Sequence, residues 1–227
     1  MLILAGGDMH HPFQDEAVEK DFIHAAKHQK PDHIVLLGDV VDFYNTSRYI
    51  KKGKQFNVQD EINIAKGFLA RLRGAAPSST VIWWTQGNHD ERPEKYMARQ
   101  CPELLPLTGM QLPILMDLGK MNINWIRSDK ELRLDNILYL HGTRVRKHPG
   151  DSVQAHIIED YHCSVAMGHC HRSADISIRH NREWFTGVEV GCMCTDEAGT
   201  DYVKKPYWTR GFCFMSNGIP SLIRYNH

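Results

Sequence analysis

An excess of charge of either sign is missing from this sequence: 27 Lys and Arg stand against 27 Asp and Glu in 227 residues. A balanced chain does not coat nucleic acid or an anionic membrane over its whole surface, so only local patches remain for such contacts. Long apolar runs are missing too. None approaches the roughly 18 residues of a membrane span, and the short run Met1 to Ala5, followed at once by Asp8 and His10, does not read as a secretion signal. The paired cysteine spacings of a zinc ribbon or disulfide framework are absent. Cys101, Cys163, Cys170, Cys192, Cys194 and Cys213 therefore read as reduced thiols that mostly pack, in a protein expected to be soluble and cytoplasmic, with no membrane partner. Cys192 and Cys194 would share a face on a strand, which leaves a second metal site open there.

What is present suits a proper core. Hydrophobic residues make up 42% of the chain, enough for one domain spanning 1–227. The order is strand and helix in alternation. Leu2 to Ala5 reads as a buried strand running into Gly6-Gly7-Asp8, Gln14 to His28 as a helix stopped by Pro31, and His33 to Leu37 as a strand ending in Gly38-Asp39. Phe43 to Asn57 reads as a basic loop. A helix from Gln59 to Arg73, a strand from Val81 to Thr85 and a short helix from Arg92 to Gln100 follow. Pro102 to Leu118 is apolar but broken by Pro106, Gly109 and Pro113. Core packing is the expectation for it, with a subunit contact or a pocket wall as alternatives. Strands resume at Ile123, and Leu132 to Leu140 reads as a hairpin turning at Asp135-Asn136. A helix from Ser152 to Tyr161 leads to the strand Ser164 to Met167. The strands near Ala174 to Ile178, Trp184 to Val190, Phe212 to Met215 and Ser221 to Tyr225 suggest a second sheet.

Polar residues collect at strand ends, where α/β sheets place their sites. Asp8 with His10, Asp39, Asn88 with His89, His141, and His169 with His171 occupy five such ends. Oxygen and imidazole donors without thiolate suit a first-row divalent ion, and the donors are too many for one tetrahedral ion. Two ions sharing a carboxylate would fit, a recurring device of phosphoryl chemistry.

The succession Asp8-Met9-His10, Gly38-Asp39, Gly87-Asn88-His89-Asp90, His141 and Gly168-His169-Cys170-His171 resembles the calcineurin-like metallophosphoesterases, motif for motif and in order. The resemblance implies an α/β fold, a four-layer α-β-β-α sandwich of two mixed sheets with a dinuclear metal site at the sheet ends. It implies that Asp8, His10 and His171 bind one ion, Asn88, His141 and His169 the other, and that Asp39 bridges them. The pair would be manganese, with iron, zinc, cobalt or nickel as alternatives. His89 would reach the substrate rather than a metal, oriented by Asp42, and Asp90 would cap the loop. The implied reaction is in-line attack by metal-bound hydroxide with no covalent intermediate.

Neither the Gly-Asp-x-His-Gly nor the Asp-Arg-Gly pattern of phosphoprotein phosphatases is present. The motifs look more like the phosphodiesterase and nuclease branches, although the large DNA-capping domain of the repair nucleases is not expected. Compact phage-encoded phosphoesterases with Gly-His-x-His-Arg and a late Trp before Gly-Phe, here Trp208 and Gly211-Phe212, are similar overall. A rim of Arg48, Lys51, Lys52, Lys54, Arg92, Arg144, Arg146, Lys147 and Arg172 would steer a polyanion, with Tyr44, Tyr49 and Trp184 as stacking surfaces. The expected function is hydrolysis of a phosphodiester in a nucleotide or nucleic acid, with Arg48, Arg92, Arg144 and Arg172 as substrate contacts. A phosphomonoesterase and a binding module without catalysis are the alternatives. The remaining histidines read as surface or satisfied polar groups, with His11 the one that could line the mouth. Oligomeric state is open.

Overall fold

The computed structural model describes residues 1–48, 56–199 and 207–225. Strands β1 (Leu2–Gly6), β2 (His33–Leu36), β3 (Val81–Thr85) and β4 (Ile123–Ile126) run parallel and side by side. Helices α1 (Glu16–Gln29) and α2 (Val58–Ala75) make the crossovers that parallel strands need. Asp15 caps α1 by accepting from the Ala17 and Val18 amides, and Asn57 with Asp60 forms a reciprocal cap on α2. Helix α3 (Arg92–Gln100) follows β3 as expected.

The second sheet holds β5 (Leu132–Leu134), β6 (Ile137–Leu140), β7 (Ser164–Met167), β8 (Ser173–His180) and β9 (Glu183–Val190), in the order β5-β6-β7-β9-β8. Asp135 and Asn136 both take positive φ, the geometry of a two-residue hairpin turn. The last two strands depart from expectation. β10 (Arg210–Ser216) and β11 (Ile219–Tyr225) return to the first sheet, where β10 pairs antiparallel with β1. They complete its order as β11-β10-β1-β2-β3-β4.

Period-two alternation produces the layers. Leu4, Ile34, Leu36, Ile82 and Trp84 pack outward on Phe22 and Ala26 of α1 and on Phe68, Leu69 and Leu72 of α2. Their neighbours Ile3, Ala5, Val35 and Leu37 face the other way and meet Ile137, Tyr139, Ala166, Val188 and Val190 of the second sheet. Leu138, Val165 and Met167 then pack on Val153 and Ile157. Those two belong to α4 (Asp151–Ala155) and the wider π-helical turn His156–Tyr161 that extends it. The result is the expected α-β-β-α sandwich.

Pro102 to Leu118 divides between two of its expected roles. Met116 and Leu118 enter the core, whereas Leu105, Met110 and Pro113 wall a cavity of about 270 Å³. Among the described residues no helix is long and apolar enough to cross a membrane.

Candidate metal centre

Parallel strands end together, so the loops after β1, β2 and β3 converge with those after β6 and β7. Asp8 (φ 53°), His10 (50°), Asp39 (49°), His169 (68°) and His171 (57°) all take the left-handed backbone region. Sparsely populated backbone geometry of this kind costs on the order of 1–3 kcal/mol per residue and clusters at functional sites. Two glycines let the loops close. A Cβ on Gly87 would fall 2.1 Å from Asp39 Oδ1, and one on Gly168 would fall 2.4 Å from Asp8 Oδ2.

One group of donors is deep. His10 Nδ1 donates to Asp42 Oδ2 at 3.0 Å, so its Nε2 is left to face His171 Nε2 at 3.1 Å. Asp8 Oδ1 lies 3.1 Å from that same His171 nitrogen and has no hydrogen bond, although it is buried. The second group is shallower. His141 Nδ1 donates to the Leu37 carbonyl at 2.7 Å, which turns its Nε2 towards Asn88 Oδ1 at 3.1 Å, His169 Nδ1 at 3.1 Å and Asp39 Oδ2 at 3.3 Å.

Acceptors facing acceptors need a positive charge between them. Without a metal, protons serve. Burial, the largest influence, works against charging these imidazoles, yet Asp42 and Asp8 lift His10 to about 10 and Asp39 lifts His141 to about 9. Asp8 and Asp39, although buried, are held well below the carboxylate range by the surrounding histidines. Burial and the charge of His141 push His169 down to about 4, so its ring stays neutral and able to ligate. A donor set of this chemistry fits two divalent cations. Asp8, His10 and Asp39 form one candidate group, and Asp39, His141 and His169 another, so Asp39 belongs to both.

His89 forms a further candidate group with His10 and Asp42, and its Nε2 lies 3.8 Å from Asp39 Oδ2. Its Nδ1 donates to the Asp42 carbonyl at 3.2 Å and lies 3.2 Å from Asp42 Oδ2, and the same carboxylate accepts from Arg92 Nη1 at 3.1 Å. Arg92 Nη2 donates to His89 Nε2 at 2.8 Å, so that nitrogen offers a lone pair and the ring is neutral. Burial lowers the His89 pKa, with Asp39 opposing. Asp90 ties the loops together as expected: its Oδ2 accepts from the amides of Asp39 and Gly87 at 2.9 Å each and from Trp84 Nε1 at 3.0 Å.

Two cavities adjoin Asn88. One of about 310 Å³ runs past His141, Thr143, Arg127, Lys130 and Tyr161. The other, about 210 Å³, is lined by Thr46, Ser47, Arg48, Arg92, Lys95 and Arg99. Lys95 and Arg99 lie outside the rim expected from sequence, yet their spacing of i+3 and i+7 from Arg92 puts all three on one helical face.

The basic rim expected from sequence is uneven. Arg48 and Arg92 border the second cavity, whereas Arg144 pairs with Glu159 and Asp160, and Arg172 donates to the carbonyls of Arg146 and Lys147. Lys51, Lys52, Lys54 and Tyr49 lie outside the described residues. Tyr44 is buried and Trp184 sits at the distal end of the β8–β9 hairpin, so neither offers bases a surface beside the metal groups. His11 does not line the mouth either. It is buried against Phe68, and burial pushes its pKa down to about 4.

Comparison with known proteins gives these groups a context. The family model for calcineurin-like phosphoesterases matches residues 1–203. The Gene 54 protein of Mycobacterium phage L5 is 24% identical over 236 residues, covering 94% of this chain and 88% of its own. The Gene 54 protein of Mycobacterium phage D29 is 25% identical over 186 residues, covering 75% and 69%. Among solved structures, YfcE, a phosphoesterase from E. coli, aligns with a TM-score of 0.48 at 12% identity over 98% of this chain and 92% of its own.

Proposed function

This chain belongs to the calcineurin-like phosphoesterase family, and from that premise we propose that it hydrolyses a phosphodiester in a nucleotide or nucleic acid. The family makes it a metal-dependent phosphoester hydrolase. The observation that carries the choice of a diester is the cavity of Arg48, Arg92, Lys95 and Arg99 opening beside Asn88. A lone phosphomonoester needs no cationic groove running away from the reacting centre, whereas a substrate with phosphate groups in series does.

In this reading Asp8, His10 and His171 hold one divalent ion, Asn88, His141 and His169 hold the other, and Asp39 touches both. The oxygen-bearing second group suits manganese. When bound, the ions supply Lewis-acid activation of water and neutralise charge on the phosphoryl oxygens.

The protein's own groups do the rest. Asp42 fixes the tautomer of His89 and supports the ring from behind. A phosphate oxygen is a stronger acceptor for Arg92 than a neutral imidazole. An incoming substrate thus draws the guanidinium off His89 Nε2 and frees that nitrogen to take a proton from solvent water and pass it to the leaving oxygen. Arg92 then anchors the substrate phosphate. Residues 1–227 act as one catalytic domain in this reading, supported by the core shared between the two sheets. The free thiols of all six cysteines support a cytoplasmic setting.

Turnover of bis-p-nitrophenyl phosphate by the manganese-loaded protein, together with cleavage of oligonucleotides, is the expected result. Hydrolysis confined to p-nitrophenyl phosphate would overturn the diester reading in favour of a monoesterase.

A further inference from the structure

Between β9 and β10 the chain passes beneath the deep metal group. Met193 N donates to the Asp8 carbonyl at 3.1 Å, Asp15 N to the Met193 carbonyl at 2.8 Å, and Thr195 N to the Phe13 carbonyl at 2.8 Å. These bonds lace the segment to the loop that carries Asp8 and His10. Cys194 is fully buried as a result, and its sulfur lies within 4.8 Å of ring nitrogens of both His10 and His171. Asp8 Oδ1, the buried oxygen with no hydrogen bond, faces the same two histidines at 3.8 and 3.1 Å. Ligand atoms around one ion stand about 3–4 Å apart when metal–sulfur and metal–nitrogen bonds are about 2.3 and 2.0 Å.

We propose that Cys194 is an additional ligand of the first metal ion, joining Asp8, His10, Asp39 and His171, and that it makes this position selective for thiophilic ions such as zinc, iron or cobalt. The inference rests on the metal-dependent reading above and specifies one of its two sites. Cys194 also packs beside Phe13, Cys192 and Trp208. That packing asks only for a small apolar side chain, and would be met by alanine or valine, neither of which turns a donor atom towards two histidines. On binding, the S–H bond breaks, the proton is released to solvent, and the sulfur lone pair forms the bond to the ion. The second group has no sulfur among its donors, so the two positions differ in softness. In place of the separate metal site that the spacing of Cys192 and Cys194 left open, one thiol joins the group already there.

X-ray absorption of the zinc-loaded full chain tests this directly, since a sulfur neighbour at about 2.3 Å is distinct from nitrogen and oxygen neighbours. The wild-type protein is expected to show that sulfur shell, and the cobalt-loaded protein a near-ultraviolet sulfur-to-cobalt charge-transfer band. Both signals disappear in Cys194→Ser and persist in Cys192→Ser and Cys170→Ser. Zinc held by nitrogen and oxygen alone in the wild type overturns the role of Cys194 and leaves the metal-dependent reading standing. Failure to bind zinc or cobalt at all overturns both. Because the wild-type spectrum decides by itself, a Cys194→Ser variant that does not fold leaves the test intact, and a signal lost instead in Cys170→Ser assigns the sulfur to the other thiol and overturns the proposal.

Discussion

The two metal groups share Asp39 but differ in their access to solvent. Asp8, His10 and Cys194 are fully buried and His171 nearly so, with Asp42 bracing His10 from behind. Around the second group Asn88 is exposed, His169 is half-buried, and both cavities open beside Asn88. A buried ion exchanges slowly and serves as part of the framework, whereas an ion at the cavity mouth meets substrate and water. On the proposed function, substrate recognition would fall to the shallow side, where α3 presents its basic face, and retention of a metal pair to the deep side.

His89→Ala should produce the largest change in rate without disturbing either group: kcat on the diester falls by a factor on the order of 100 to 10,000, the usual worth of a general acid. Metal analysis should still find two ions. Asp39→Asn removes the contrast instead, because one lost charge is felt at both positions. Titration should show weaker binding of both ions by at least about 10- to 100-fold, and loss of one alone would refute the shared ligand. Removal by chelator should be stepwise. The ion beside His141 leaves first, and His141→Ala retains one ion where His10→Ala releases the deep one, as read by metal content after dialysis.

Finer tests address the surroundings. Arg99→Ala should lower the slope of log affinity for single-stranded DNA against log salt by about one, the signature of one lost phosphate contact. The smallest effect concerns Glu61, buried beneath the loop after β2, where its Oε1 accepts from the Tyr44 amide at 2.9 Å. Burial raises its pKa from 4.5 to about 8, so between those values the folded state holds a proton that the unfolded state has lost. That contribution to stability is complete below about pH 4.5 and declines as pH rises to about 8. Melting temperatures followed from pH 5 to 9 should fall across this window, and Glu61→Gln should flatten the dependence.

Much of this was legible in the chain. Apolar runs marked β1, β2, β3 and β7, and glycine next to a candidate ligand at Gly38-Asp39, Gly87-Asn88 and Gly168-His169 marked where the loops approach too closely for a Cβ. Asp90 was recognisable as a loop-tying residue from its place in the motif. Tyr44 and Trp184 misled because an aromatic side chain carries no sign of whether it is buried or at which end of a hairpin it lies. Arg144 and Arg172 looked like free cations, since partners such as Glu159 and the Arg146 carbonyl come into reach only through folding. Cys192 and Cys194 stood out locally as a pair sharing a face, but the proximity of Cys194 to His10 had no local signal, because most of the chain separates them.

The sequence by itself determined the strands, their order, the donor types and the strand ends that carry them, because these depend on periodicity and on neighbours within a few residues. Tertiary structure alone decided that β10 and β11 close the first sheet rather than the second, since a hairpin can add to the edge of either sheet and only packing selects one. It also decided which imidazole nitrogen faces which carboxylate, that Arg92 rests on His89, and that one thiol among six lies beside the deep metal group. Those are matters of a few ångströms between residues distant along the chain, and burial and closed hydrogen bonds set them.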